Sequence, residues 1–154
     1  MLTKQQLGYK FEDQVHELIS QTYYPILREK EIIKKYGILC YGIDHLVYSV
    51  EYLICIQDKW RDTKSSLNDI NHFLKSVEKV SEAENKRCIG IYLTKVPITK
   101  GGLEALKNEN TKQTNLFLSI NNEDMNLLLK KLSELFYSNQ IYFYEPDGTT
   151  IMLD

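Results

Sequence analysis

Four side chains near the start of the chain are of the types that handle a divalent cation and a phosphate: Glu12, Asp44, Gln57 and Lys59. Carboxylates and a carboxamide carbonyl are hard oxygen ligands, and an ammonium group balances charge growing on an anion. Their spacing suggests how three of them meet. Ile43 to Val47 and Tyr52 to Ile56 are apolar runs rich in β-branched and aromatic residues, parted by a polar interruption at Ser49 to Glu51, which is a β-hairpin pattern. A turn centred on Val50 and Glu51 sets Asp44 directly opposite Gln57 on one sheet face. Alternation adds Lys59 to that face and sends Ile54, Ile56 and Asp58 to the other. The turn lacks Asn-Gly or Asp-Gly, so the competing arrangement is a one-residue slip that parts Asp44 from the other two. Polar groups at the end of an apolar central strand cost free energy unless paired or metal-bound, which favours chemistry over a cross-strand hydrogen bond and ion pair alone.

The flanking segments must position these groups. Thr3 and Gln6 fit a capping box, and Leu7, Phe11, Val15, Leu18 and Ile19 recur at helical spacing to about Thr22. Glu12 falls at the margin of that stripe and points towards the sheet, whereas Asp13 and Gln14 point to water. Tyr24-Pro25 ends the helix. The first strand is either Ile26 to Glu29 or Ile32 to Ile33. Lys30, Lys34 and Lys35 around it read as a solvated edge, ahead of a phosphate-contacting patch. Beyond the hairpin, Ser66 and Asp69 cap a long helix carrying Leu67, Ile70, Phe73, Leu74, Val77 and Val80. Cys88 to Leu93 and Leu116 to Ile120 are buried strands, and Thr99 to Lys107 is a short helix. Gly101-Gly102 there lacks the pattern of a phosphate loop. Asn122 opens a last helix, with Glu123 and Asp124 in its first turn, running to about Phe136. The tail IYFYEPDGTTIMLD reads as a hairpin over 140–154 turning at Pro146 and Gly148, its aromatics serving a dimer interface or packing on the sheet. Helical crossovers make the strands at Cys88 and Leu116 parallel to their neighbours, so the expected fold is α/β, a central mixed β-sheet flanked by helices on both faces.

A chain of 154 residues with one continuous apolar pattern is expected to be a single domain, 1–154, with its core over about 3–136. The net charge of −2 leaves room for a local basic groove only. Cys40, Cys55 and Cys88 are odd in number, sit in apolar settings and show no Cys-x-x-Cys spacing, so they read as buried thiols of a reducing compartment. His16, His45 and His72 have no metal-site spacing. There is no apolar signal core and no bilayer-length apolar run, so the expectation is a soluble intracellular protein, cytoplasmic or nuclear.

With these residues in place, the chain resembles the restriction-endonuclease-like PD-(D/E)xK nuclease superfamily, most closely its Mrr-like branch. Gly8-x-x-Phe11-Glu12-x-x-Val15 is similar to that branch's opening helix, Gly42-Ile43-Asp44 to its metal-binding aspartate, and Ile56-Gln57-Asp58-Lys59 to its Gln-x-Lys variant. Ile91-Tyr92-Leu93-Thr94 and Leu116 to Leu132 are similar to its later strands and closing helix. The likeness spans about Gly8 to Leu132, dense at the motif and thin beyond Lys64. Two departures stand out: no proline precedes Asp44, and Gln57 fills a slot usually held by a carboxylate. The resemblance implies a restriction-endonuclease-like fold and Mg²⁺-dependent cleavage of DNA, with Mn²⁺ as a substitute. Glu12, Asp44, Gln57 and Lys59 are then the catalytic set. Asp44, Gln57, Glu12 and a backbone oxygen near Asp58 hold the metal, and Lys59 orients water and stabilises the transition state. The Asp58 side chain pairs with Arg61 or Lys64. Trp60, Arg61, Lys64 and His45 contact DNA, with packing of Trp60 under the second long helix as the alternative. A homodimer would cut both strands, in a restriction-like or junction-resolving manner. The competing reading is a catalytically inactive nuclease-fold module that binds DNA or a protein partner; survival of the acid, the aspartate and the lysine favours activity.

Overall fold

The computed structural model describes residues 1–137 and the backbone of 151–153. Helix α1 (Lys4–Ile19) opens on the expected capping box: Thr3 Oγ1 accepts from the Gln6 N–H at 3.1 Å, and Gln6 Oε1 accepts from the Thr3 N–H at 2.9 Å. Its buried stripe is Phe11, Val15 and Ile19, with Glu12 half-buried at the margin. Asp13 faces outward and pairs with Arg28 at 3.0 Å. Gln14 departs from expectation, being half-buried with Oε1 enclosed.

Of the two alternatives for the first strand, the earlier forms it: β1 is Ile26–Arg28. Ile32 and Ile33 lie instead in a helix, α2 (Glu29–Tyr36), which the sequence reading missed. Glu29 and Glu31 stand at its N-terminus and Lys34 and Lys35 at its C-terminus, each complementing the helix dipole. The Glu31 side chain accepts from the Arg28 N–H at 3.1 Å, and Gly37, at φ +107°, stops the helix. The three lysines therefore decorate a helix rather than a strand edge. A 3₁₀ turn, Ile38–Cys40, leads to the hairpin.

Strands β2 (His45–Tyr48) and β3 (Leu53–Lys59) pair antiparallel in the expected register, from His45 opposite Ile56 to Tyr48 opposite Leu53. Ser49 supplies what an Asn-Gly turn would have: its hydroxyl donates to the Tyr52 carbonyl at 2.8 Å and accepts from the Tyr52 N–H at 3.3 Å. Helix α3 (Leu67–Glu84) starts at the Ser66–Asp69 capping box and ends at Asn85 in the left-handed conformation. Then come β4 (Cys88–Thr94), α4 (Lys100–Thr111), β5 (Leu116–Asn121) and α5 (Met125–Tyr137). Helix α4 runs past Lys107, and Asn122 does not open α5. Asp124 caps that helix, its Oδ1 accepting from the N–H groups of Asn126 and Leu127, so Glu123 and Asp124 precede the first turn.

The sheet order follows the chain: β1, β2 and β3 are antiparallel neighbours, and β3, β4 and β5 are parallel. A short strand β6 (Ile151–Leu153) lies parallel to β5. The turn of the expected C-terminal hairpin, at Pro146 and Gly148, lies outside the described residues. Helices α1 and α5 cover one sheet face, where Phe11, Val15 and Leu132 meet Ile54, Ile56 and Ile91. Helices α2, α3 and α4 cover the other, where Ile32, Phe73 and Leu106 meet Leu46, Cys55 and Tyr92. The fold is therefore α/β, a mixed sheet with helices on both faces. Cys40, Cys55 and Cys88 are buried free thiols. Among the described residues no helix is long and apolar enough to cross a membrane.

Gly90 lets the second face close. A Cβ there would lie 2.6 Å from the Phe117 ring and 3.1 Å from Phe73, two rings that pack edge to face at 6.0 Å. Gly90→Ala is expected to lower unfolding free energy by about 1–3 kcal/mol through overpacking. Urea denaturation followed by circular dichroism measures it, and an unchanged midpoint would show that the aromatic cluster has room to give.

Candidate metal centre

The strand register delivers the first two groups. Asp44 immediately precedes β2, next to the His45–Ile56 pair, and its N–H donates to the Ile56 carbonyl at 2.9 Å. Its carboxylate accepts from the Asp58 N–H at 2.7 Å, which fixes one oxygen against the β3 backbone. Asp44 and Gln57 are both 6% exposed. Glu12 reaches the same point from α1, and a residue the sequence reading did not single out, Glu29, reaches it from the start of α2. One carboxylate oxygen from each of Glu12, Glu29 and Asp44 lies within 4.8 Å of the others. These acids, with Gln57, Lys59, Tyr9 and Trp60, line a cavity of about 380 Å³. The structure thus brings Glu12, Asp44, Gln57 and Lys59 to one cavity and adds Glu29.

Charge is concentrated and under-compensated here. Burial holds the Asp44 carboxyl well above the usual carboxylate range, the negative charges of Asp58 and Glu12 push it the same way, and the Asp58 N–H opposes them. The Glu12 carboxyl is raised too, by burial first and then by Asp58. Gln57 Oε1 is buried with no hydrogen-bond partner. Crowded carboxylates beside an orphaned amide oxygen make an all-oxygen donor set, which suits a hard divalent cation. The acidic trio can hold a metal ion.

The residues after the motif behave differently from expectation. The Asp58 side chain points to the α1 side of the sheet, where its Oδ2 meets Nε2 of His45 at 2.5 Å, both side chains being almost fully enclosed. It pairs with neither Arg61 nor Lys64, because alternation turns it inward beneath the site. His45, 0% exposed and stacked 6.1 Å from His16, has no surface to offer DNA. Arg61 spends its guanidinium on Asp69 at 2.6 Å and Ser65 at 3.3 Å, tying the β3 end to the start of α3. Trp60 packs on Phe11 of α1, with ring centroids 5.1 Å apart, and not under α3; Lys95 Nζ lies 5.8 Å over the indole. Lys64 is exposed in the segment before α3. Glu29 had a signal in the sequence, as the last residue of the Ile26–Glu29 alternative. The pairing of β1 with β2 crosses a whole helix, however, and no turn pattern sets such a register.

Comparison with protein-family models, curated proteins and solved structures gives no match. The functional reading therefore rests on the geometry.

The crowding makes a prediction about stability. Because the folded-state affinity of Asp44 for a proton exceeds that of the unfolded chain, stability falls as pH rises above the ordinary carboxylate range near ~4. Asp44→Asn removes the charge while its Oδ1 can still accept from Asp58. In metal-free buffer at pH 7 this variant is expected to melt about 2–4 °C higher than wild type, with the gap closing towards pH 4. Thermal unfolding across that range checks it, and a lower melting temperature for the variant at pH 7 would mean that the carboxylate is net stabilising.

Proposed function

We propose that the chain is a metal-dependent endodeoxyribonuclease with a restriction-endonuclease-like fold, hydrolysing DNA phosphodiester bonds with Mg²⁺, for which Mn²⁺ can substitute. The observation that carries this reading is the convergence of Glu12, Asp44, Gln57 and Lys59 on one cavity, with Gln57 Oε1 buried and unpartnered. The order of elements, with three antiparallel strands leading into two parallel ones, agrees with the resemblance.

Asp44, held by the Asp58 N–H, Glu12, the Gln57 carbonyl and a backbone oxygen near Asp58 would hold the cation; the Asp58 side chain lines the same cavity, with Oδ2 on His45 and Oδ1 unpartnered. A bound divalent cation supplies a nucleophilic water at neutral pH and stabilises charge on the phosphate. Lys59 orients that water and offsets the developing negative charge. DNA passes over the cavity mouth, with Trp60 on its wall and the exposed Lys64 in the segment that follows; His45 is enclosed, and Arg61 and Lys95 are paired with Asp69 and Asp62. Two copies of the chain would cut both strands, guided by DNA shape more than by sequence, in a restriction-like or junction-resolving manner. The DNA substrate and the free thiols fit an intracellular setting.

The test is cleavage of plasmid, single-stranded and branched DNA with Mg²⁺ or Mn²⁺, with EDTA as the control. Wild type is expected to cut, Gln57→Ala and Lys59→Ala to lose about 10²-fold or more, and Gln57→Glu to retain part of the activity. An inert wild type whose Gln57→Glu variant cuts would instead identify an inactive nuclease-fold module that binds DNA or a protein partner. Cleavage that survives Lys59→Ala in protein free of contaminating nuclease would overturn the site assignment.

A further inference from the structure

Glu29 complements the dipole at the N-terminus of α2, yet its carboxylate lies against two other acids, Glu12 and Asp44. Strand β1 pairs with β2 from Ile26 opposite Val47 to Arg28 opposite His45, so Glu29, which opens α2, follows one member of the last pair and Asp44 precedes the other. The β2–β3 ladder ends at His45 opposite Ile56, the pair next to Asp44 and Gln57. Two carboxylates and a carboxamide thus form a row of polar groups where three adjacent strands end, with oxygens of Glu29 and Asp44 within 4.8 Å of each other. Like charges this close are destabilising, and a bound cation would neutralise them. The independent sign of a ligand is Gln57, which lines the same cavity as Glu29 and Asp44, is only 6% exposed and has a buried Oε1 with no hydrogen-bond partner.

We infer that Glu29 is a third carboxylate of the cation site and supplies the negative charge that the site forgoes by having Gln57 in β3. The inference rests on the reading of this cavity as a divalent-cation site. Moving the anionic ligand from β3 to the start of α2 keeps the ligand charge of a carboxylate-bearing motif while leaving position 57 neutral between Asp44 and the enclosed Asp58. Glu12 closes the set from the opposite side of the sheet end.

Mn²⁺ titration of the DNA-free protein, followed by calorimetry and by electron paramagnetic resonance of free Mn²⁺, tests the assignment independently of cleavage. Glu29→Gln is expected to weaken Mn²⁺ binding at least tenfold, and Gln57→Glu placed on that background to restore it, since one charge is moved across the row. Melting temperatures in EDTA no lower than wild type would show that both variants fold. Wild-type affinity in Glu29→Gln would overturn the role of Glu29 and leave the endonuclease reading standing. Wild type that binds no Mn²⁺, with or without DNA, would overturn the cation site itself. Mn²⁺ binding that depends on Glu29 in a protein that cuts no DNA would uphold the inference and reject the endonuclease reading.

Discussion

The hydrogen bond from the Asp58 N–H to the Asp44 carboxylate, 2.7 Å long, joins the entry to β2 with the far end of β3 and sets the geometry of everything around it. A charge-assisted bond of this kind is short and directional, so it orients one carboxylate oxygen along the strand and leaves the other free. It exists because the hairpin register is what it is. A shift by one residue would turn Asp44 to the α1 side and put His45 where the acid now stands. The turn at Ser49 and the apolar runs on either side therefore matter to the chemistry as much as the acids do.

Around that bond, repulsion and satisfaction are unequally shared. Asp58 is matched with His45 under the sheet, Asp69 with Arg61 at the start of α3, and Asp13 with Arg28 at the edge of α1. Asp44 and Glu12 have mostly one another, Glu29 and the half-buried Lys59. The fold neutralises nearby acids with cations and leaves these crowded, and a group of acids that the protein itself does not neutralise is the usual mark of a functional site. The cost falls on stability.

Much of this arrangement could be read from the chain. The hairpin and its register followed from two β-branched runs of matched length, and Glu12 from its angle on an amphipathic helix. The capping residues Thr3, Ser66 and their partners were legible because capping is a local interaction. What escaped was non-local or small. Helix α2 is short and carries a single fully buried residue, Ile32, so its apolar periodicity was too slight to outweigh an Ile-Ile pair that looks like a strand. The pairing of β1 with β2 spans that helix, and with it went the position of Glu29. Asp58 was placed on its face correctly by alternation, whereas His45 was expected at DNA; their meeting required knowing that α1 seals that face and excludes water. Asp58 had two candidate partners, Arg61 and Lys64, and took neither, while Arg61 found Asp69, on a different element.

The sheet changes character at β3, antiparallel on one side and parallel on the other, and the acids of the candidate centre come from the entry to β2 on the antiparallel side, from α1 and from the start of α2. Strands β4 and β5 contribute volume, aliphatic surface and the glycine that admits Phe117. Under sequence drift the two halves answer to different constraints. The antiparallel half tolerates little, since a displaced oxygen there changes a charge balance. The parallel half needs only to stay apolar and of the right bulk. Divergence should therefore collect on the silent side, leaving a chain whose overall resemblance to its kin fades well before its cluster of acids does.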